Sequence, residues 1–160
     1  MDYKVAGYVK LAKLWEKKED SAIAYHKKYY AAKFDGIDGY TLVDVYIDIT
    51  GKKEICKRLE MVRLIRDCQR GRIYCIATQS RAYLAANTKE FCYLIKTLFD
   101  LSDRIEIITE DESYHVNTII NRESQREALL KMANDYVSLN PQDFYEWSCD
   151  LRSAIYDLED

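Results

Sequence analysis

The chain has 160 residues, 48% of them hydrophobic and 32% charged, with five glycines and one proline. This fits one compact domain able to bury roughly 70% of its unfolded surface, and it excludes collagen-like, proline-rich and low-complexity classes. The net charge of −3 divides unevenly: residues 1–80 carry 16 basic against 11 acidic side chains, residues 81–160 carry 8 against 16.

In chain order, Val5–Val9 predicts a first strand, and Ala22–Phe34 a helix capped by Asp20 or Ser21, with Ala22, Tyr25, Tyr29 and Ala32 on one face. Asp35-Gly36-Ile37-Asp38-Gly39 is a turn cluster, and the β-branched and aromatic run Thr41–Ile47 a second strand. Glu54–Arg70 predicts a second helix, with Ile55, Leu59, Val62 and Ile65 inward and Gly71 as its stop. Ile73–Ala77 is a continuous apolar strand of the kind covered on both faces. Thr88–Leu101 follows as a helix, then Arg104–Ile108 as a fourth strand and Tyr114–Val116 as a short fifth. Ile119–Leu139 supports a long helix. After Asn140-Pro141, residues Phe144, Trp147, Leu151, Ile155 and Leu158 make an amphipathic terminal helix.

Strands alternating with helices predict an α/β fold in three layers, with a mostly parallel sheet of four to five strands. Ligand chemistry in such sheets gathers at the carboxyl ends of the strands. Lys10-Leu11-Ala12-Lys13 after the first strand lacks the glycines of a phosphate-cradling loop, so no nucleotide or flavin cofactor is expected. The five cysteines contain no close pair and there are two histidines, so no metal site is expected; Cys68, Cys75 and Cys92 read as buried thiols of a reduced, cytoplasmic chain. Glu110-Asp111-Glu112 reads as a solvated acidic loop. No apolar run reaches the roughly 18 residues of a membrane span, and Met1-Asp2-Tyr3-Lys4 does not open a signal peptide.

Several segments in order resemble the catalytic domain of serine recombinases, the resolvase/invertase family. Tyr8-Val9-Lys10-Leu11-Ala12 is similar to its opening Tyr-x-Arg-Val-Ser signature, and Ser21–Tyr25 to its Ser-hydrophobe-x-x-Gln. Tyr40–Asp48 resembles its second-strand and Tyr-x-Asp segment, Thr50-Gly51 its Ser-Gly, and Arg58-Leu59 its Arg-Pro. The resemblance spans about residues 4–138, and implies metal-free attack of a serine hydroxyl on a DNA phosphodiester, with arginines neutralising the transition state. It also implies where this chain departs. Ala12 stands at the nucleophile and Lys10 at the signature arginine, and Tyr25 replaces the glutamine. The Asp-Arg-Leu-Ser-Arg motif falls on Ala82-Tyr83-Leu84-Ala85-Ala86, with Arg81 as a possible substitute; Asp48 and Arg58 survive.

The expected organisation is a resolvase-like domain at 1–138 and an acidic amphipathic helix at 139–160, with no separate DNA-binding domain. The expected function is that of a recombinase-like domain without strand-cleaving chemistry. It would associate with a copy of itself or an active recombinase through helix 119–139, with Leu129, Leu130, Ala133, Tyr136 and Val137 as the seam. The basic N-terminal half could meet DNA. The alternatives are an active recombinase or nuclease with a relocated nucleophile (Ser21 or Ser80), or an unrelated α/β binding domain.

Overall fold

Strands β1 (Tyr3–Leu11), β2 (Tyr40–Ile49), β3 (Cys75–Thr78) and β4 (Glu106–Thr109) form one sheet in the order β2-β1-β3-β4, parallel at every pairing. The computed structural model describes residues 3–110 and 122–159, the side chains of 122–125 apart. Parallel neighbours require crossovers. Helices α1 (Glu19–Phe34), α2 (Leu59–Gln69) and α4 (Thr88–Leu101) provide them, with a single turn, α3 (Arg81–Leu84), ahead of α4. Helices α5 (Arg122–Leu139) and α6 (Pro141–Leu158) complete the described chain. The α/β class and the three layers are as expected. The candidate strand at 114–116 and the start of the long helix at 119–121 lie outside the described residues.

Alternation along β1 divides the core. Val5 and Val9, with Val45, Ile47, Cys75 and Ala77, meet Tyr30 of α1 on one face. Ala6 and Tyr8, with Tyr46, Ile76 and Ile107, face α2 and α4, beyond which α5 and α6 pack. Gly7 belongs to the close approach of α1, since a Cβ there would come within 2.8 Å of the Tyr30 ring. A register shift between Val5 and Ala6 leaves Val43 as an extra residue in edge strand β2.

Two helix boundaries differ from the sequence reading. α1 starts at Glu19, after a 3-10 segment at Lys13–Lys18, and buries Ala22 and Tyr30; Tyr25 is 63% exposed. Its apolar and charged residues alternate too evenly for spacing to fix which side faces the sheet. α2 starts at Leu59 rather than Glu54, and Leu59 is 71% exposed. The Asp48 side chain sets that start by accepting the first amides of the helix, Glu60 N–H and Met61 N–H, each at 2.9 Å. Elsewhere local chemistry matches: Asn87 caps α4, Asn140 caps α6 ahead of Pro141, and Gly71 follows α2 at φ +72°.

The α5 seam turns toward its own domain. Ala133 is fully buried, so it is closed to a partner; Leu129, Leu130, Tyr136 and Val137 are half-buried against the same core. The apolar stripe of α6 rests there as well. Trp147 Nε1–H donates to Glu90, whose other oxygen accepts Ile55 N–H at 2.9 Å, and Tyr93 O–H donates to Asp143 at 2.7 Å. Glu90 is thus a buried carboxylate tying the β2–α2 connection, α4 and α6 together.

Candidate functional site at the carboxyl ends of the strands

The carboxyl ends of β1 and β2 are held in register by Thr50 N–H donating to Leu11 O at 3.0 Å, and Thr78 Oγ1 at the end of β3 donates to Tyr8 O at 2.9 Å. Even-numbered β1 residues point toward α2. Tyr8 O–H therefore reaches Asp48 at 2.7 Å, on the carboxylate that caps α2. Burial raises the Asp48 pKa despite the three donors it accepts, and burial beside that carboxylate pushes the Tyr8 hydroxyl up.

Arg58 lies beneath this corner, 2% exposed. One terminal nitrogen donates to Tyr83 O at 2.9 Å and Leu84 O at 3.3 Å, and the other donates to Lys53 O at 3.0 Å. The guanidinium thus cross-links the β2–α2 connection to the end of α3. Its Nε is buried without a partner. Lys10, one position beyond Tyr8 on the same face, has its pKa lowered first by burial and then by the positive charges of Arg58 and Lys53, with Asp48 opposing. Lys10, Lys53 and Arg58 therefore share one electropositive corner, in which the two lysines keep their ammonium groups free of ion pairs among the described residues.

Ala12 follows β1 at an exposed position, and its carbonyl accepts Trp15 N–H at 3.0 Å as the 3-10 segment begins. The methyl group has no atom able to attack a phosphodiester. The Ala82–Ala86 run forms α3 and the approach to α4, with Leu84 and Ala85 buried. Arg81 stacks over Phe91 at 3.7 Å and borders a shallow cavity of about 220 Å³ with Ala85, Asn87 and Thr88. Ser80 Oγ accepts Ala82 N–H at 3.1 Å, so that hydroxyl is used in starting α3. Ser21 is exposed in the first turn of α1.

The sequence reading did not bring Lys53 to the Arg58 corner, which follows from Arg58 binding its carbonyl, and did not set Trp15 and Tyr25 together on a cavity of about 390 Å³ that Leu11 also lines. Their signal was available in the lysine-rich stretch 13–28, where aromatics interrupt the charges. Among the described residues no group of three or more His, Cys, Asp or Glu side chains could hold a metal, and no helix is long and apolar enough to cross a membrane. Cys68, Cys75 and Cys92 are buried free thiols, and burial pushes Cys68 up to about 12. Glu110 binds back to α1, accepting Tyr29 O–H at 2.8 Å and pairing with Lys33.

The fold is that of serine recombinase catalytic domains. The N-terminal catalytic domain of TP901-1 integrase superposes with a TM-score of 0.58 at 20% identity, over 86% of this chain and 98% of that one. A resolvase-family site-specific recombinase from Streptococcus pneumoniae gives 0.52 at 13% identity, over 92% and 99%. The C-terminal catalytic domain of ISC1926 TnpA, an IS607-like serine recombinase, gives 0.51 at 12%, over 98% and 99%. No protein-family model matches the chain, and no curated protein matches it significantly. Identities this low speak for the fold alone.

Proposed function

We propose that this chain is a serine recombinase-like domain that keeps the scaffold, has lost the strand-cleaving chemistry, and acts by associating with DNA and with another protomer. The observation that carries the reading is the state of the site's surviving groups. Ala12 is the first residue past β1, and the guanidinium of Arg58 spends its terminal nitrogens on the carbonyls of Lys53, Tyr83 and Leu84. A phosphoryl-transfer site needs a nucleophile and cations aimed at the phosphorane; this corner offers lysine ammonium groups, while its Tyr8 and Thr78 hydroxyls are spent on Asp48 and on the Tyr8 carbonyl. Lys10 and Lys53 suit a DNA phosphate held by charge, a contact that weakens steeply with salt.

The partner is a second copy or an active recombinase, met through the half-buried residues of α5 and the exposed Leu139 beside them. Incubation with supercoiled DNA, followed by denaturing electrophoresis, tests the chemistry. Salt-sensitive binding without a covalent protein–DNA adduct is expected. An adduct overturns the reading in favour of a relocated nucleophile. Light scattering tests association: a strict monomer at high concentration, alone and with an active recombinase, removes the protomer partner.

A further inference from the structure

The 3-10 segment and the first half of α1 hold features that the strand-end corner does not use. Between them lies a cavity of about 390 Å³, within the roughly 300–1,000 Å³ of small-ligand sites. Leu11, Trp15, Ala22 and Tyr25 form its apolar walls, and Lys18 and His26 add polar groups. Both aromatic walls are open to solvent, Trp15 at 43% and Tyr25 at 63% exposure. The His26 Nδ1 is out of water and has no hydrogen-bond partner.

The charge around this cavity is distinctive. Residues 13–28 contain five lysines (Lys13, Lys17, Lys18, Lys27 and Lys28) against three acids. None of the five makes an ion pair among the described residues, whereas Lys33, Arg63, Arg66, Arg70, Lys89, Lys96 and Lys131 each pair with a carboxylate. Exposed aromatic faces set among unpaired cations are the arrangement that holds a single strand: the bases stack on the rings and the phosphates meet the lysines. A duplex keeps its bases stacked on one another and cannot offer a face to a cavity of this size.

We infer that the Trp15–Tyr25 cavity is a binding site for an unpaired base of single-stranded DNA, with the lysines of the 3-10 segment and α1 holding the flanking phosphates. The inference rests on the DNA-associating reading above and adds the form of DNA bound. The cavity, apolar almost throughout, can take the planar ring of a base against Trp15 and Tyr25.

Tryptophan fluorescence reads the site directly, because the other tryptophan, Trp147, is 8% exposed and bonded to Glu90. Titrating the full chain with a short oligothymidine at low salt should quench Trp15, and a duplex of equal length should bind without comparable quenching. Trp15→Ala and Tyr25→Ala, both at open positions, should each weaken oligothymidine binding about tenfold, while Lys17→Glu should weaken it and flatten its salt dependence. Unchanged binding in both aromatic variants overturns the inference, as does equal quenching by the duplex, or quenching by an acidic peptide but not by oligothymidine. The two readings fail separately. DNA binding in which oligothymidine, like the duplex, leaves Trp15 unquenched removes this site and leaves the silent-domain reading; a covalent adduct removes that reading and leaves the quench.

Discussion

The two sides of the sheet treat their polar groups in opposite ways. Toward α2 and α4, Asp48, Arg58, Asp67 and Glu90 are buried, and each is engaged: Asp48 on helix amides and Tyr8, Arg58 on three carbonyls, Asp67 on Tyr46, Glu90 on Ile55 and Trp147. Toward α1 one helix covers the face; Lys33 pairs with Glu110, but Lys27 and Lys28 make no ion pair among the described residues, and Tyr25 faces solvent. A buried polar group without partners costs far more than a satisfied one gains, so the first set is explained by architecture. An exposed aromatic ring or unpaired lysine carries no such obligation, and several together beside a cavity call for a ligand. Pairing state, rather than residue type, separates strut from site.

The largest effect is expected at Arg58. Arg58→Ala orphans carbonyls in two loops and opens a cavity, and should cost about 3–5 kcal/mol in urea unfolding. Arg58→Lys should recover part of this, since one ammonium cannot serve both sides of the fork. Wild-type stability in Arg58→Ala, with DNA binding lost, would reassign the residue from strut to ligand group and erase the contrast. Asp48→Ala comes next. It uncaps α2 and strands the Tyr8 hydroxyl, for about 3 kcal/mol in all; a loss under ~1 kcal/mol would show that water takes over these donors.

Much of this division was legible in the sequence. The continuous apolar run Ile73–Ala77 marked a strand covered on both faces, and Asn140-Pro141 marked the start of α6. Ala12 at the end of the first strand was visible as the missing hydroxyl. Asp48 and Arg58 could be named from the resemblance, but their bonds could not. Asp48 reaches amides twelve and thirteen residues away, and Arg58 reaches carbonyls more than twenty away; no local pattern encodes partners at that range. The phase of α1 was misread because its lysines and tyrosines mix around the helix, and the same mixing leaves Trp15 and Tyr25 in the open.

A smaller effect separates the sides by pH. Burial lowers the His26 pKa below its ordinary 6.5, so the unfolded chain takes up that proton before the folded one does. Stability should therefore be fully present above about pH 6.5 and decline as the pH falls through that value and below. His26→Gln should flatten that part of the profile. A pH profile of stability identical in wild type and His26→Gln would assign the acid limb to another group.

The smallest effect on stability, and the most direct on function, is expected from Ala12→Ser. The position is exposed, so the hydroxyl should leave unfolding within about ±0.5 kcal/mol of wild type. It would restore an atom able to attack, but no base or arginine fork to activate and receive the chemistry: Arg58 remains on its carbonyls, Arg81 on Phe91, and Lys10 presents a point charge in place of a bidentate clamp. No covalent adduct with supercoiled DNA should form. Ala12→Ser combined with Lys10→Arg should still fail while Arg58 is held inward. An adduct in the single variant would mean that the corner is poised and lacks only its nucleophile, and the side read here as architecture would become a dormant active site.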